Sequence, residues 1–142
     1  ANSEVEMQEK KDRVDDALGA TKAAIEEGIV SGGGVALMNS YIALLGVEGG
    51  NEDQDIGVDI VRRALQAPIE QILINSGLEP RQYLDDLMQS PSGIGFNVKT
   101  SEFVDMIPSG IIDPKKVTRV ALENAASVAS LVLMTDCTIV SN

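Results

Sequence analysis

The sequence predicts a mainly α fold, a bundle of long helices with one small β element. Three observations carry this expectation. Capping patterns open two long apolar-periodic runs, Ser3 with Glu6 and Asn51 with Gln54. An Asp113-Pro114 pair opens a third run. Strand-like texture is limited to a glycine-bracketed stretch between Ile94 and Val104 and a short run at Thr138 to Val140. The chain has 142 residues, one domain's worth. That length suffices to bury roughly two thirds of the unfolded surface.

The first helix is expected from Ser3 to about Glu27. The Ser3 hydroxyl and the Glu6 carboxylate can each satisfy an orphan backbone donor. Val14, Leu18, Thr21 and Ile25 draw one narrow stripe along it, and Gly28 is a natural stop where positive φ carries little penalty. Before Val14 the stripe thins to Val5 and Met7 among charged residues, so that end reads as solvated, a projection or a connector. Gly32-Gly33-Gly34 then makes a tight turn, because each glycine inside a helix costs roughly 1 kcal/mol relative to Ala. A second helix covers Val35 to Leu45. The third starts at Asn51, continues through Ile56, Ile60, Val61 and Leu65, and is kinked by Pro68. It resumes with Ile69, Ile72 and Leu73 and stops at Gly77. Glu79-Pro80 opens a short helix with Pro80 in its first position. Ile94 to Val98 reads as a strand, followed by a turn near Lys99 and the segment Ser101 to Val104. Asp113 is expected to cap the last helix, with Pro114 at its first position. That helix should end near Met134, with Val117, Val120, Ala121, Ala125, Val128, Leu131 and Val132 facing inward. Thr138 to Val140 reads as a final short strand.

Composition narrows the function. Eleven Lys and Arg against twenty-two Asp and Glu leave a net charge of −11. Such a balance disfavours a grip on nucleic acid or on an anionic membrane face. With no His and only Cys137, the chain itself carries no His/Cys zinc site, Ser–His–Asp triad, Cys–His pair or disulfide framework. A single thiol fits a reducing compartment. No apolar run reaches the ~18 residues of a membrane span, and the N-terminus is too charged for a secretory signal. Aromatic residues make up 3% of the chain, too few for a base-stacking platform.

Each chemical motif has a plainer reading beside it. The glycine turn leads into a helix N-terminus, where bare N–H groups can receive an anionic or polar ligand. It lacks the Lys-Ser/Thr of a phosphate loop and the spacing of a dinucleotide fingerprint, and the plain alternative is a packing turn. Asp12 and Asp16 share one side of the first helix, a spacing that can position a water or a metal, or simply form a solvated acidic face. Asp113 is explained as a helix cap without any ligand. Asn97 either reads an adenine edge or closes a turn. The five methionines and Cys137 read as core filling.

Their order along the chain is more specific. The run from Glu6 to Leu18 resembles the start of the last third of a group I chaperonin, the GroEL-like family. The same resemblance extends through Glu26-Glu27-Gly28-Ile29-Val30, Gly32 to Leu37, Asn51-Glu52-Asp53-Gln54, Gly110 to Pro114, Lys116 to Arg119, and Ala125 to Ala129. It covers essentially the whole chain in the family's order. The resemblance implies that residues 1–27 form the distal part of an intermediate domain and residues 28–142 the C-terminal half of an equatorial, ATP-binding domain. It implies an ATP-driven protein-folding machine of two stacked rings, a homo-oligomer in the bacterial cytoplasm or an organelle matrix.

By the same resemblance, Asp16 is the catalytic residue that positions the attacking water. Gly32, Gly33 and Gly34 line the nucleoside, Asn97 and Val98 meet the adenine, Ile111 packs beside the base, and Asp113 holds the ribose hydroxyls. The implied cofactors are ATP and Mg2+. The family's Gly-Asp-Gly-Thr-Thr phosphate stretch, its magnesium ligand and the apical domain that holds client proteins and co-chaperonin have no counterpart here. The chain is therefore expected to be a piece of a longer subunit, with half a nucleotide site, no metal ligands of its own and little ATPase activity alone. It should also self-associate through uncovered apolar helix faces. Glu70 and Glu79 stand where many bacterial members pair a base with an acid across the rings, a contact that repels here unless Arg81 compensates. The competing reading is a free-standing helical interaction module that binds no nucleotide.

Overall fold

The computed structural model describes residues 3–135, and the expectations for Cys137 and for a strand at Thr138 to Val140 lie outside them. The described chain is mainly α, with six helices and two small two-stranded sheets. It divides into two compact units, one formed by residues 1–28 and 114–142 and the other by residues 29–113.

In the first unit, helix α1 (Glu4–Glu27) packs against helix α6 (Lys115–Leu133). The Ser3 hydroxyl accepts the Glu6 N–H at 3.2 Å, as the capping pattern requires. At its other end α1 stops at Gly28, whose φ of +85° breaks the helical path. The Lys115 N–H donates to the Gly28 carbonyl at 3.0 Å, so the start of α6 is tied to the end of α1. The groove between the two helices is lined by small residues, Gly19 and Ala23 from α1 and Ala121 from α6.

The stripes expected to face a core do not do so. Val14, Leu18 and Ile25 on α1 and Val117, Val128, Leu131 and Val132 on α6 are each more than half exposed, and Ala23 is the buried residue of the pair. Two helices cover only one strip of each other. Periodicity identifies an apolar face but not what lies against it.

The second unit has a true core. Helix α2 (Val35–Leu44) contacts helix α3 (Glu52–Ala64) and helix α4 (Ala67–Asn75), while helix α5 (Arg81–Gln89) packs on a hairpin strand. The hairpin pairs β2 (Ile94–Asn97) antiparallel with β3 (Glu102–Asp105), placing Ile94 opposite Asp105 and Asn97 opposite Glu102. Val35, Met38, Ile69, Leu73, Leu84, Leu87, Phe96 and Met106 form one buried cluster. Tyr83, Phe96 and Phe103 extend it, with ring centroids of Tyr83 and Phe96 4.6 Å apart and of Phe96 and Phe103 5.3 Å apart. Asn51 caps α3 by accepting the Gln54 N–H at 2.9 Å. Arg62 donates to the Leu44 carbonyl through Nη2 at 2.6 Å and pairs with Asp59, fastening α3 to the end of α2.

Two expectations need correction. The run from Asn51 to Gly77 is not one kinked helix but two, because Pro68 falls in the first turn of α4, where its missing N–H costs nothing, and the chain turns at Leu65 and Gln66. Asp113 is not a helix cap. It lies within strand β4 (Ile112–Pro114), which pairs with β1 (Ile29–Ser31). Pro114, at ψ 127°, is the cap residue and makes no side-chain bond. Backbone pairing keeps Asp113 extended, which moves the helix start on to Lys115.

Candidate functional site

The site is built from the glycine turn upward. β1 ends at Ser31, which is buried, and the Gly32 N–H donates to the Ile111 carbonyl at 2.9 Å. Gly33 and Gly34 then take φ of +65° and +79°, a region that L side chains rarely adopt, and α2 begins at Val35. Space demands glycine here as strongly as conformation does. A Cβ on Gly32 would stand 3.0 Å from the Ile112 nitrogen, and one on Gly33 would stand 2.8 Å from the Met106 methyl. One on Gly34 would meet the Ile69 backbone nitrogen at 2.8 Å. The turn is thus wedged against the 111–112 segment, Met106 and the first turn of α4.

The structure brings the glycine turn and Ile111 together. The Ile111 side chain reaches to 4.0 Å of the Cβ position of Gly33. Asp113 follows two residues on, in β4. Burial alone pushes its carboxyl above the usual range, with no hydrogen bond or cation to offset it. A half-buried carboxylate in that state is an available acceptor for ligand hydroxyls.

Asn97 and Val98 lie at the turn of the β2–β3 hairpin. The Asn97 Oδ1 accepts the Lys99 N–H at 3.0 Å and its carbonyl accepts the Ser101 N–H at 2.8 Å, with Ser101 at φ +58°. In this structure the Asn97 side chain closes a turn. Val98 is exposed. Asp16 lies on α1 in the first unit and is exposed. Its neighbour Asp12 accepts a hydrogen bond from the Gln8 amide at 2.8 Å. Among the described residues no group of three His, Cys, Asp or Glu is placed to hold a metal ion.

Three features escaped the sequence. Ile69 and Met106 are the walls behind the glycine turn, and nothing local marks them apart from other core residues. The third is an ion-pair network in the first unit. Lys116 pairs with Glu26, and Arg119 binds Glu27 through Nη2 at 2.7 Å and Glu123 through Nη1 at 2.9 Å. Hydrogen bonds from Lys116 and Arg119 hold the Glu26 and Glu27 carboxyls below the usual range. Arg119 and Glu123 keep the i, i+4 helical spacing, but the pairs that join the two helices are some ninety residues apart, beyond any spacing rule.

The profile of the TCP-1/cpn60 chaperonin family matches residues 1–142, and the chain belongs to that family. Its members are generally ATPases that form oligomeric rings.

Proposed function

We propose that this chain supplies the base-and-ribose side of the ATP site in a group I chaperonin subunit, with helix α1 as the connector that gates hydrolysis. The observation that carries the reading is the junction of the glycine turn with Ile111 and Asp113. Bare backbone at the N-terminus of α2 accepts a polar ligand closely, Ile111 offers an apolar wall for a purine, and the Asp113 carboxylate accepts from ribose hydroxyls. Asn97 and Val98 would complete the adenine contacts from the hairpin. ATP bound there supplies the transferable phosphoryl group. In this reading the phosphates and Mg2+ would be held by residues other than the candidates named here.

Asp16 is the hydrolytic residue in this reading. An ordinary aspartate is ionised at neutral pH and a feeble base, near 3.9. Phosphoryl transfer through a loose transition state asks chiefly for positioning of the water, which a placed carboxylate provides. Its position on α1 makes hydrolysis conditional on movement of that helix. The complete subunit would act on unfolded client proteins with a co-chaperonin, as a ring in the bacterial cytoplasm or an organelle matrix. The group I assignment within the family rests on the motifs from Glu6 to Leu18 and from Gly32 to Leu37.

The test is Asp16→Ala in the complete subunit. ATP binding should persist while steady-state turnover falls at least ~100-fold. Unchanged hydrolysis would remove Asp16 from the mechanism, and loss of binding would assign it to the nucleotide pocket instead.

A further inference from the structure

The second unit carries a cleft that the nucleotide reading does not use. It lies between α2 and α5, has a volume of about 370 Å³, and includes none of the nucleotide-binding candidates. Met38, Ile42 and Leu45 form one wall at i, i+4 and i+7, and Met88 forms the other. Ile42 and Leu45 are 52% and 56% exposed, an apolar ridge left facing solvent. Asp85 is the one charged residue in the lining, and no ion pair reaches it among the described residues. Asp85 is exposed at the edge of the cleft, where a cation on the covering surface can pair with it.

Helix α3 of the same chain offers the matching surface. Ile56, Ile60 and Arg63 follow the same i, i+4, i+7 spacing, on the side away from Val58, Arg62 and Leu65. Ile56 and Ile60 are 53% and 52% exposed. Arg63 is exposed and makes no ion pair among the described residues, whereas Arg62 is held by Asp59 and the Leu44 carbonyl. The stripe and the ridge are each about 10 Å long at the helical rise of 1.5 Å per residue. Asp59, one turn before Arg63, is engaged by Arg62, and the acids of the first α3 turn, Glu52 and Asp53, lie ~15 Å from Arg63 by the same rise. Other apolar faces lack this match. The Val128 to Leu133 stretch of α6 carries no Lys or Arg, and Lys22 of α1 lies in the groove against α6.

We propose that the α2–α5 cleft is a self-association surface that receives α3 of a second copy of this chain, with Asp85 of one copy paired to Arg63 of the other. Cleft and stripe belong to the same unit, so a two-fold arrangement makes the contact twice. The methionines of the cleft adapt to the incoming isoleucines. The inference stands apart from nucleotide binding, and neither Asp85 nor Arg63 is a candidate site residue.

Analytical ultracentrifugation of the 142-residue chain tests it, with circular dichroism confirming that each variant is folded. Asp85→Arg or Arg63→Asp alone should weaken dimerisation about tenfold, and the doubly reversed variant should return to within about threefold of the parent. Asp85→Asn, which changes little in shape, should weaken it in the same direction. A chain that is monomeric throughout would overturn the proposal. So would single variants that associate as the parent does, or a double variant no better than the singles.

Discussion

The two units of this chain are held together by different forces. In residues 29–113 eight apolar side chains meet in one buried cluster, with Val35, Leu73, Leu87 and Met106 almost wholly withdrawn from water. In the α1–α6 unit the described residues bury Ala23 and little else, and the helix ends are fastened by Lys116 to Glu26 and by Arg119 to Glu27 and Glu123. Hydrophobic burial stabilises in proportion to area, whereas exposed ion pairs contribute little and are screened by salt. The first unit should therefore open far more readily than the second.

The sharpest way to break this contrast is Leu73→Ala. It should cost the second unit about 2–5 kcal/mol in denaturant unfolding, and a value below ~1 kcal/mol would mean that the core is not what stabilises it. Next comes Gly34→Ala, which forces a Cβ into a left-handed residue 2.8 Å from the Ile69 nitrogen. A loss of about 2 kcal/mol or more is expected, together with altered amide shifts at Ile69. Arg119→Met should have a smaller effect, seen as faster amide exchange at the α1–α6 junction at low salt. In molar salt the parent should exchange as fast as the variant there, and a difference that survives salt would point to packing by the Arg119 stem.

The smallest effects distinguish the units by sign. Glu26 and Glu27 are held below their ordinary value of 4.5, so the folded state favours their ionised form. Their contribution is present above that value and is lost as pH falls through the lowered ones. Asp113 is shifted the other way, raised from 3.8 by burial. Its ionisation opposes folding, a penalty absent below pH 3.8 and complete above the raised value. Asp113→Asn should thus slightly stabilise the chain at neutral pH and leave it unchanged in strong acid, as pH-dependent melting will show. A destabilising effect at neutral pH would mean that the carboxylate already has a structural partner.

Local chemistry was readable from sequence wherever it acts over a few residues. Ser3 and Asn51 cap the helices they were expected to cap, and the Ile94–Asn97 and Glu102–Asp105 strands fall beside the expected turn. The glycine turn was legible too, although its reason was not: three close approaches, to the Ile112 and Ile69 backbones and to the Met106 side chain, come from distant segments. β1 and β4 are three residues each, too short for a period-two signal, and their pairing moved Asp113 out of the cap position. The apolar stripe of α6 was correctly identified but wrongly taken to face a core, because pattern says nothing about what covers a face. Within the site, the joining of Gly32 to Ile111 spans nearly eighty residues, and only the family resemblance linked the two beforehand.

The most direct measurement is amide NMR of the isolated chain titrated in parallel with adenosine, ATP and inorganic triphosphate, up to about 10 mM to capture millimolar affinity. If the chain holds the base-and-ribose side of the pocket, adenosine and ATP will move the same resonances, those of Gly32 to Gly34, Asn97, Val98, Ile111 and Asp113, and triphosphate alone will leave them in place. Triphosphate shifting the glycine turn as ATP does, or adenosine shifting none of these amides, would contradict the account.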